Sequence, residues 1–579
     1  MVLLTFTRAY PWQSLLMIVA LLLAGLAEGS SMSVLLPLLS IAVESVPGAE
    51  QAQQSEFAQM INGLLQQVGI TPTVGSLLVV GVFGIIIKSA LLLVADRQVG
   101  YTKARVTTDL RLKLLRAVMS SRWDYFVHQP IGRLTNSMAT EAWRASIAYE
   151  FGVGIIAYGL QAIIYALVAF MVSWQATLAS LGAGLVILFV SHFLVKMTRK
   201  AGKRQTNLLK SLLARMTDTL NSVKTMKAMG RENLADGVLQ TETSRLNQAL
   251  EKEVFSKAVL SAAQEPMFAA VIAVGMFILL QRWQMPIAEV LVLVLVLTRV
   301  LLHLGKIQKH YQKMVAAESA YWSMLEAVEE ADAKREEYSG DTPPSLDKAI
   351  ELADVGFSYD GVPLLRDVNM AIPAGALTTI IGQSGSGKTT ILDLIAGLHN
   401  PDSGTVSVDG VSLATVDLRK WRRQIGYAPQ EAVLLHDTIL NNITLGDPEL
   451  SEEDARLALE KADAWSFVAA MEQGLETSVG ERGARISSGQ RQRIMLARAL
   501  VHRPRLLILD EATSALDRAS ENAICTTLKS LCGELTIVAV SHQPALAEFA
   551  DVVYRMSEGT IEGGPDATAP GTRTAASRA

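Results

Sequence analysis

Charge and cysteine are both scarce in this 579-residue chain. Only 19% of residues are charged and the net charge is −4. That balance excludes the strongly basic domain expected of a nucleic-acid binder. Two cysteines, Cys525 and Cys532, lie seven residues apart in a stretch expected to be helical. No Cys/His metal spacing and no disulfide framework follow from them. They read as two half-buried small hydrophobes. No repeat of solenoid period is visible. No signal peptide is expected, because the first apolar run is too long and Arg8 is the only early basic residue.

What is plentiful is apolar sequence. Half of the residues are hydrophobic, and the excess is concentrated before about Leu304. Membrane-crossing helices need on the order of 20 apolar residues. Six stretches qualify, at about 14–41, 76–95, 151–172, 176–195, 259–280 and 287–304. They fall into pairs separated by two long polar segments, 96–149 and 196–256. Residues 42–73 carry Glu44, Glu50 and Glu56 but no Lys or Arg, whereas the segment after the second span is rich in both. The positive-inside bias then puts the first connection outside, and both termini and the two polar segments in the cytoplasm. Those segments read as helices extending beyond the bilayer, with turns at Pro130–Arg133 and Ser222–Glu232. Unstructured loops of that length are uncommon in compact folds.

A charged helical pattern, Lys306–Glu337, leads into the linker Gly340-Asp341-Thr342-Pro343-Pro344. Beyond it lies Gly382-Gln383-Ser384-Gly385-Ser386-Gly387-Lys388-Thr389, which fits the phosphate-loop pattern G-x-x-x-x-G-K-[ST]. An apolar strand pattern, Leu377–Ile381, precedes it and a helical pattern, Lys388–Leu398, follows. Glycines free the backbone N–H groups to curl around phosphates, while the helix N-terminus and Lys388 favour negative charge. Thr389 is the expected Mg²⁺ ligand, with Thr390 beside it. Leu506–Asp510 is a short apolar run ending in a carboxylate, the signature of a buried parallel strand whose end faces a ligand. Asp510 is placed on the Mg²⁺ side and Glu511 is the candidate to polarise the attacking water.

Further motifs carry a family resemblance. Ile486-Ser487-Ser488-Gly489-Gln490 resembles the L-S-G-G-Q signature of ABC ATPases, and Asp510–Asp517 resembles the end of their second nucleotide motif running into the D-loop. Gln430, in Tyr427-Ala428-Pro429-Gln430, resembles the Q-loop glutamine, His542 the switch histidine, and Tyr359 the aromatic that stacks on adenine. Thr477–Gly483 looks like the segment typical of exporters rather than importers. The resemblance implies ATP and Mg²⁺ as cofactors. It gives catalytic roles to Glu511, His542 and Gln430, and nucleotide contacts to Tyr359, residues 382–390, Ser487, Gly489, Gln490 and Asp517. Gln430 joins Thr389 and Asp510 at the metal. The signature departs from the pattern at Ile486 and Ser488, and the latter adds a side chain where backbone approaches a phosphate.

The fold expected is a membrane all-α six-helix exporter domain (1–310), a helical extension and linker (311–345), an α/β P-loop ABC ATPase domain (346–562) and a tail of residues 563–579 that is disordered. A second half-transporter chain is implied, because the family's ATP sites form between one chain's phosphate loop and the other's signature. A homodimer is favoured over a heterodimer. Ionisable residues inside spans mark a pathway or a partner. Glu28, Lys88, Glu265 and Arg299 are the candidates for the substrate, with internal salt bridging as the competing role. Arg299 and His303 are four apart and share a helix face, while His192 and His303 lie near span ends, where side chains reach for the interface. Glu28-Gly29 followed by Leu35-Leu36-Pro37-Leu38-Leu39 resembles the first span of exporters and flippases for lipid-linked sugars. No peptidase-like domain precedes the first span, so a self-processing peptide exporter is not expected. The expected function is ATP-driven export or flipping of an amphiphilic substrate across the cytoplasmic membrane, with membrane lipid as a partner. An ATP-gated channel and a regulatory membrane ATPase are the alternatives.

Overall fold

The computed structural model describes residues 8–35, 37–38, 60, 63, 66–67, 69, 71, 73–231, 233–285, 287–338, 340–512, 518–541 and 544–563. Asp517, His542, the tail from 564 and most of the acidic connection 42–73 fall outside them, as does the side chain of His192. The chain divides into two units, Met1–Ser121 with Tyr125–Arg335, and Arg122–Asp124 with Glu336–Ala579.

The first unit is helical. α1 (Pro11–Ser33) opens on a proline, whose missing N–H costs nothing at a helix start. α2 (Val74–Met119) is entered through Thr73, which forms a reciprocal capping box with Ser76. After the short α3 (Trp123–Val127) and α4 (Ile131–Asn136), a π-helical turn at Ser137–Glu141 leads into α5 (Ala142–Val172). Ser173 alone separates α5 from α6 (Trp174–Asn221), and its hydroxyl caps the new helix at Ala176 N. The short α7 (Val223–Ala228) joins α6 to α8 (Asn233–Phe277), and α9 (Ile287–Ala333) closes the unit.

α2, α6, α8 and α9 have 46, 48, 45 and 47 residues, about 70 Å each at 1.5 Å per residue. That is more than twice the hydrocarbon thickness of a bilayer. The apolar stretches are therefore only parts of these helices, and the charged extension 306–333 is one continuous helix with the span before it. Five helices among the described residues are long and apolar enough to cross a membrane by length and composition. The expected stretch 176–195 lies on α6, part of whose side chains are not described.

The second unit holds two sheets. A four-stranded antiparallel sheet has the order β2-β1-β4-β5, with β1 (Ala349–Tyr359), β2 (Val362–Pro373), β4 (Ser403–Val408) and β5 (Val411–Ser412). A six-stranded sheet has the order β10-β9-β3-β8-β7-β6, from β3 (Leu377–Gly382), β6 (Ile425–Ala428), β7 (Leu506–Asp510), β8 (Thr536–Ser541), β9 (Val552–Ser557) and β10 (Thr560–Gly563). All its pairings are parallel except that of the edge strand β10.

β7 and β8 are buried along their whole length, as strands covered on both faces must be. Their side chains alternate between two cores. Ile508, Val538 and Val540 pack with α10 (Lys388–Ile395) and the antiparallel sheet. After the short α11 (Leu418–Arg423), α12 (Ile439–Thr444), α13 (Glu452–Lys461) and α14 (Trp465–Ala469) comes α15 (Ser488–Leu500), and Leu507, Leu509 and Ala539 pack with it and its neighbours. Strand order then decides the site, because it gathers the carboxyl ends of β3, β8, β7 and β6 along one edge.

Candidate functional site

The phosphate loop links β3 to α10. Gly385 and Gly387 have φ of +78° and +102°, a backbone region that side chains rarely adopt. A Cβ on Gly387 would also stand 2.7 Å from Leu365. The loop is thus held in a tight turn that depends on glycine at both positions. Lys388 Nζ donates to the carbonyls of Gly382 (3.0 Å) and Gln383 (2.8 Å), inside the concavity. Ser386 Oγ is buried with no hydrogen-bond partner among the described residues. An orphaned hydroxyl in a glycine-lined cradle with a lysine fits a phosphate chain. Burial pushes the Lys388 ammonium down from the usual lysine range, against the opposing pull of Glu511 and Asp510.

Two strands away, Asp510 ends β7. Its Oδ1 accepts from Thr389 Oγ1 at 3.2 Å, across 121 residues of sequence. A hydroxyl and a carboxylate so paired at the phosphate loop form the donor set suited to Mg²⁺, a hard cation that takes oxygen ligands. Burial pushes Asp510 up, the Glu511 charge adds to this, and the bond from Thr389 and the nearby Lys388 oppose it. Glu511 follows with φ +50° and its N–H donates to Val540 O at 3.0 Å, which turns the chain sharply off the strand. Gln430, just past β6, donates from Nε2 to Glu511 Oε2 at 2.7 Å. Four residue types expected at one site thus meet through strand order.

Two side chains here had no role in the sequence reading. Tyr427 on β6 bonds Asp510, and burial first, then the Asp510 and Asp393 charges, raise its hydroxyl. Asp393, one turn beyond Thr389 on α10, is 8% exposed and raised to about 7 by burial and then by the Asp510 charge. The i, i+4 spacing from Thr389 is the one signal that could have found Asp393.

Tyr359 ends β1 with its ring 41% exposed, edge-on to Phe357 at 4.9 Å, and with its hydroxyl 3.4 Å from His399 Nε2. An open aromatic face beside the phosphate loop's domain suits stacking on a base. In the signature, Ser487 caps α15. Its Oγ accepts from Gln490 N at 3.2 Å, and Gln490 Oε1 accepts from Ser487 N at 3.1 Å. These bonds run within the motif. Ile486 is buried in the core, and Ser488 is the exposed first residue of α15 with no positive φ, so its backbone does not need glycine.

Of the membrane candidates, three meet. Glu28 on α1 and Lys88 on α2 form an ion pair, and both line a cavity of about 310 Å³ together with Arg299 of α9. The remaining lining is mostly apolar, from Met32, Leu77, Val82 and similar side chains. Arg299 has no ion-pair partner among the described residues. Glu265 stands apart, exposed on α8. His303 requires a correction. It does not reach for an interface but is 5% exposed, with Nε2 2.9 Å from Gln161 Oε1 on α5 and Nδ1 2.7 Å from the Arg299 carbonyl. It does lie one turn from Arg299 on the same face of the continuous α9. The tight packing of α5 against α9 buries one side chain, and the other opens into the cavity.

The family model described as "ABC transporter" matches residues 365–514, and that described as "ABC transporter transmembrane region" matches 14–302. The "ATP-dependent lipid A-core flippase" of Escherichia coli (strain K12) is 29% identical over 506 residues, 84% of each chain. That of Vibrio vulnificus (strain CMCP6) is 28% identical over 96% of this chain and 92% of its own. The "Heterocyst differentiation ATP-binding protein HepA" of Nostoc is 28% identical over 83% of this chain and 77% of its own. A solved structure of a bacterial Atm1-family ABC exporter with ATP bound has the same fold, with a TM-score of 0.78 over 96% of this chain and 95% of that one, at 22% identity.

Proposed function

Because the chain belongs to the ABC transporter superfamily as a half-size exporter, one transmembrane region fused to one ATPase domain, we propose that it moves an amphiphilic substrate with an anionic headgroup across the cytoplasmic membrane, driven by ATP. The protein is a multi-pass membrane ATPase whose hydrolysis is coupled to transport. The observation that carries the substrate class is the cavity holding Glu28, Lys88 and Arg299. Two cations face one anion there, and the ion pair cancels one of each. The exposed Arg299 guanidinium is left to meet an anion at a mostly apolar wall, where a charge within the membrane is costly without a partner. Acyl chains fit the wall and the headgroup fits the cation.

In this reading the phosphate loop, 382–390, binds ATP phosphates through backbone N–H groups and Lys388, and Tyr359 stacks on the adenine. Thr389, Asp510 and Gln430 hold Mg²⁺, which when bound offsets charge on the phosphate oxygens. Glu511 orients and polarises water, and Gln430 has its Oε1 to offer the metal while its Nε2 donates to Glu511. His542 and Asp517 complete the site by resemblance. The signature residues Ser487, Gly489 and Gln490 serve the phosphate loop of a second chain, so the working unit is a dimer. We favour a homodimer, because this chain holds both the catalytic glutamate and a signature helix whose cap is intact at Ser487. The ATPase domain, both termini, and the short helices α3 and α7 lie on the cytoplasmic side, as the Lys/Arg bias requires. ATP clamps the two ATPase domains and favours the outward-facing cavity, and the substrate shifts the balance by its differential affinity for the two states.

Two measurements test this. In proteoliposomes the purified chain should move a fluorescent phosphate-bearing lipid between leaflets only with Mg-ATP. ATP-dependent ion flux without lipid movement would sink the export reading. The chain expressed alone should also purify as an active dimer, and monomers activated only by a different half-transporter would overturn the homodimer.

A further inference from the structure

Where α6 leaves its apolar stretch it presents Lys196, Lys200, Lys203 and Arg204, at steps of four, three and one that place them on one helix face. These side chains line a cleft of about 940 Å³ between α6 and α9, three times the volume of the Arg299 cavity. The two helices touch along one seam. Gly202 is so close to Ala316 that a Cβ there would meet its carbonyl oxygen at 2.7 Å, and Thr206 Oγ1 is 2.8 Å from Ser319 Oγ. The cleft opens beside this seam.

Its charge is unbalanced. Five cations, counting Lys210, face two carboxylates, Glu318 and Glu326. Glu318 accepts from Trp322 Nε1 at 3.0 Å, and Lys210 lies 3.9 Å from the buried Glu141. Lys196, Lys200, Lys203 and Arg204 make no ion pair among the described residues. Membrane orientation alone asks for lysines somewhere on the cytoplasmic side. It does not ask for them to line one cavity, opposite hydroxyls and an indole. Clusters of this kind between membrane helices bind phosphorylated headgroups through charge-assisted hydrogen bonds.

We infer that the α6–α9 cleft is a binding site for a ligand bearing two or more phosphate groups, with its cations on the phosphates and Trp322 beside the attached moiety. Lysine stems carry point charges that adapt to several phosphate positions, unlike a bidentate arginine pair. Along the continuous α9, Glu318 lies about 28 Å from Arg299, so the cleft is a station at the cytoplasmic end of the path toward that cavity. The site deepens the export reading as a cytoplasmic loading position. Its test reads binding without ATP, so its failure is separate from a failure to transport.

The full-length chain, purified in non-ionic detergent at low salt, is titrated with sodium pyrophosphate while tryptophan fluorescence is followed. Saturable quenching is expected, absent in Trp322→Phe, weakened at least about tenfold in the double variant Lys200→Gln/Lys203→Gln, and unchanged in Lys113→Gln, an exposed cation on α2 outside the cleft. A second arm places the chain in phosphatidylcholine nanodiscs with or without a phosphoinositide bisphosphate. Quenching by pyrophosphate supports a site open to free phosphates. Quenching by the phosphoinositide alone, with the same dependence on Lys200 and Lys203, supports a lipid headgroup as the source. Quenching by neither probe, or equal affinity in the double variant and Lys113→Gln, overturns the inference.

Discussion

Lys88→Met separates two roles for the charged membrane side chains. Lys88 and Glu28 form an ion pair with side-chain exposures of 22% and 5%. Among the described residues Glu28 Oε2 is buried without a hydrogen bond, and the Tyr165 hydroxyl beside it is neutral, so it could replace only part of what the ammonium supplies. Removing one partner of a fully buried pair costs about 3–5 kcal/mol. The cavity admits some solvent or lipid headgroup to Lys88, so the cost here should fall to about 2–3 kcal/mol. Glu28→Gln should cost less, about 1 kcal/mol, because the partly exposed Lys88 can turn into the cavity. The double variant Glu28→Gln/Lys88→Met leaves no uncompensated charge. It should recover at least about 1.5 kcal/mol relative to the sum of the two single changes. At about 2 °C per kcal/mol for a unit of this size, Lys88→Met should lower the apparent Tm by about 5 °C, and the double variant by at most about 4 °C where additivity would give about 7 °C. Thermal unfolding of the chain in nanodiscs, followed by differential scanning fluorimetry, checks all three variants. Strict additivity would refute the pairing. Unchanged stability of Lys88→Met with lost substrate-stimulated ATPase would give Lys88 to the substrate instead.

Three further outcomes are expected. Glu511→Gln should lower ATP turnover at least about a hundredfold while nucleotide binding persists, whereas Lys388→Ala should weaken binding itself; wild-type hydrolysis in Glu511→Gln would remove its assigned role. Arg299→Ala should reduce substrate-stimulated ATPase more than basal ATPase, and equal loss of both with poor folding would make Arg299 structural. The Asp409 carboxylate accepts from Ser345 Oγ and the N–H groups of Asp347, Lys348 and Ala349. Although partial burial opposes it, these bonds hold Asp409 down at about 2, against an ordinary 3.8. Its stabilisation is then complete above pH 4 and is lost as the pH falls toward 2. Asp409→Ala should destabilise the ATPase domain by about 1 kcal/mol at neutral pH, with the difference vanishing in acid melts.

Much of the nucleotide site was legible because its parts are local. A glycine that must adopt positive φ, a lysine at a helix start and an apolar strand ending in Asp510 each declare themselves within a few residues. The same holds for the apolar stretches. That the polar segments continue the helices beyond the bilayer was legible too. The ends of helices of 45 to 48 residues were less so, because an apolar run reports only the membrane thickness. The meetings of distant residues came only from tertiary structure. Thr389 meets Asp510 and Gln430 meets Glu511 because β3, β8, β7 and β6 lie in that order. Nothing in the periodicity of one strand fixes its neighbours. Likewise Glu28, Lys88 and Arg299 were three separate charges until α1, α2 and α9 brought them to one cavity. His303 looked like a side chain near a helix end until the packing of α5 on α9 buried it against Gln161. Sequence determined which groups this protein has and the local backbone that carries them; helix packing and strand order, which depend on contacts between residues far apart in the chain, decided which of those groups touch.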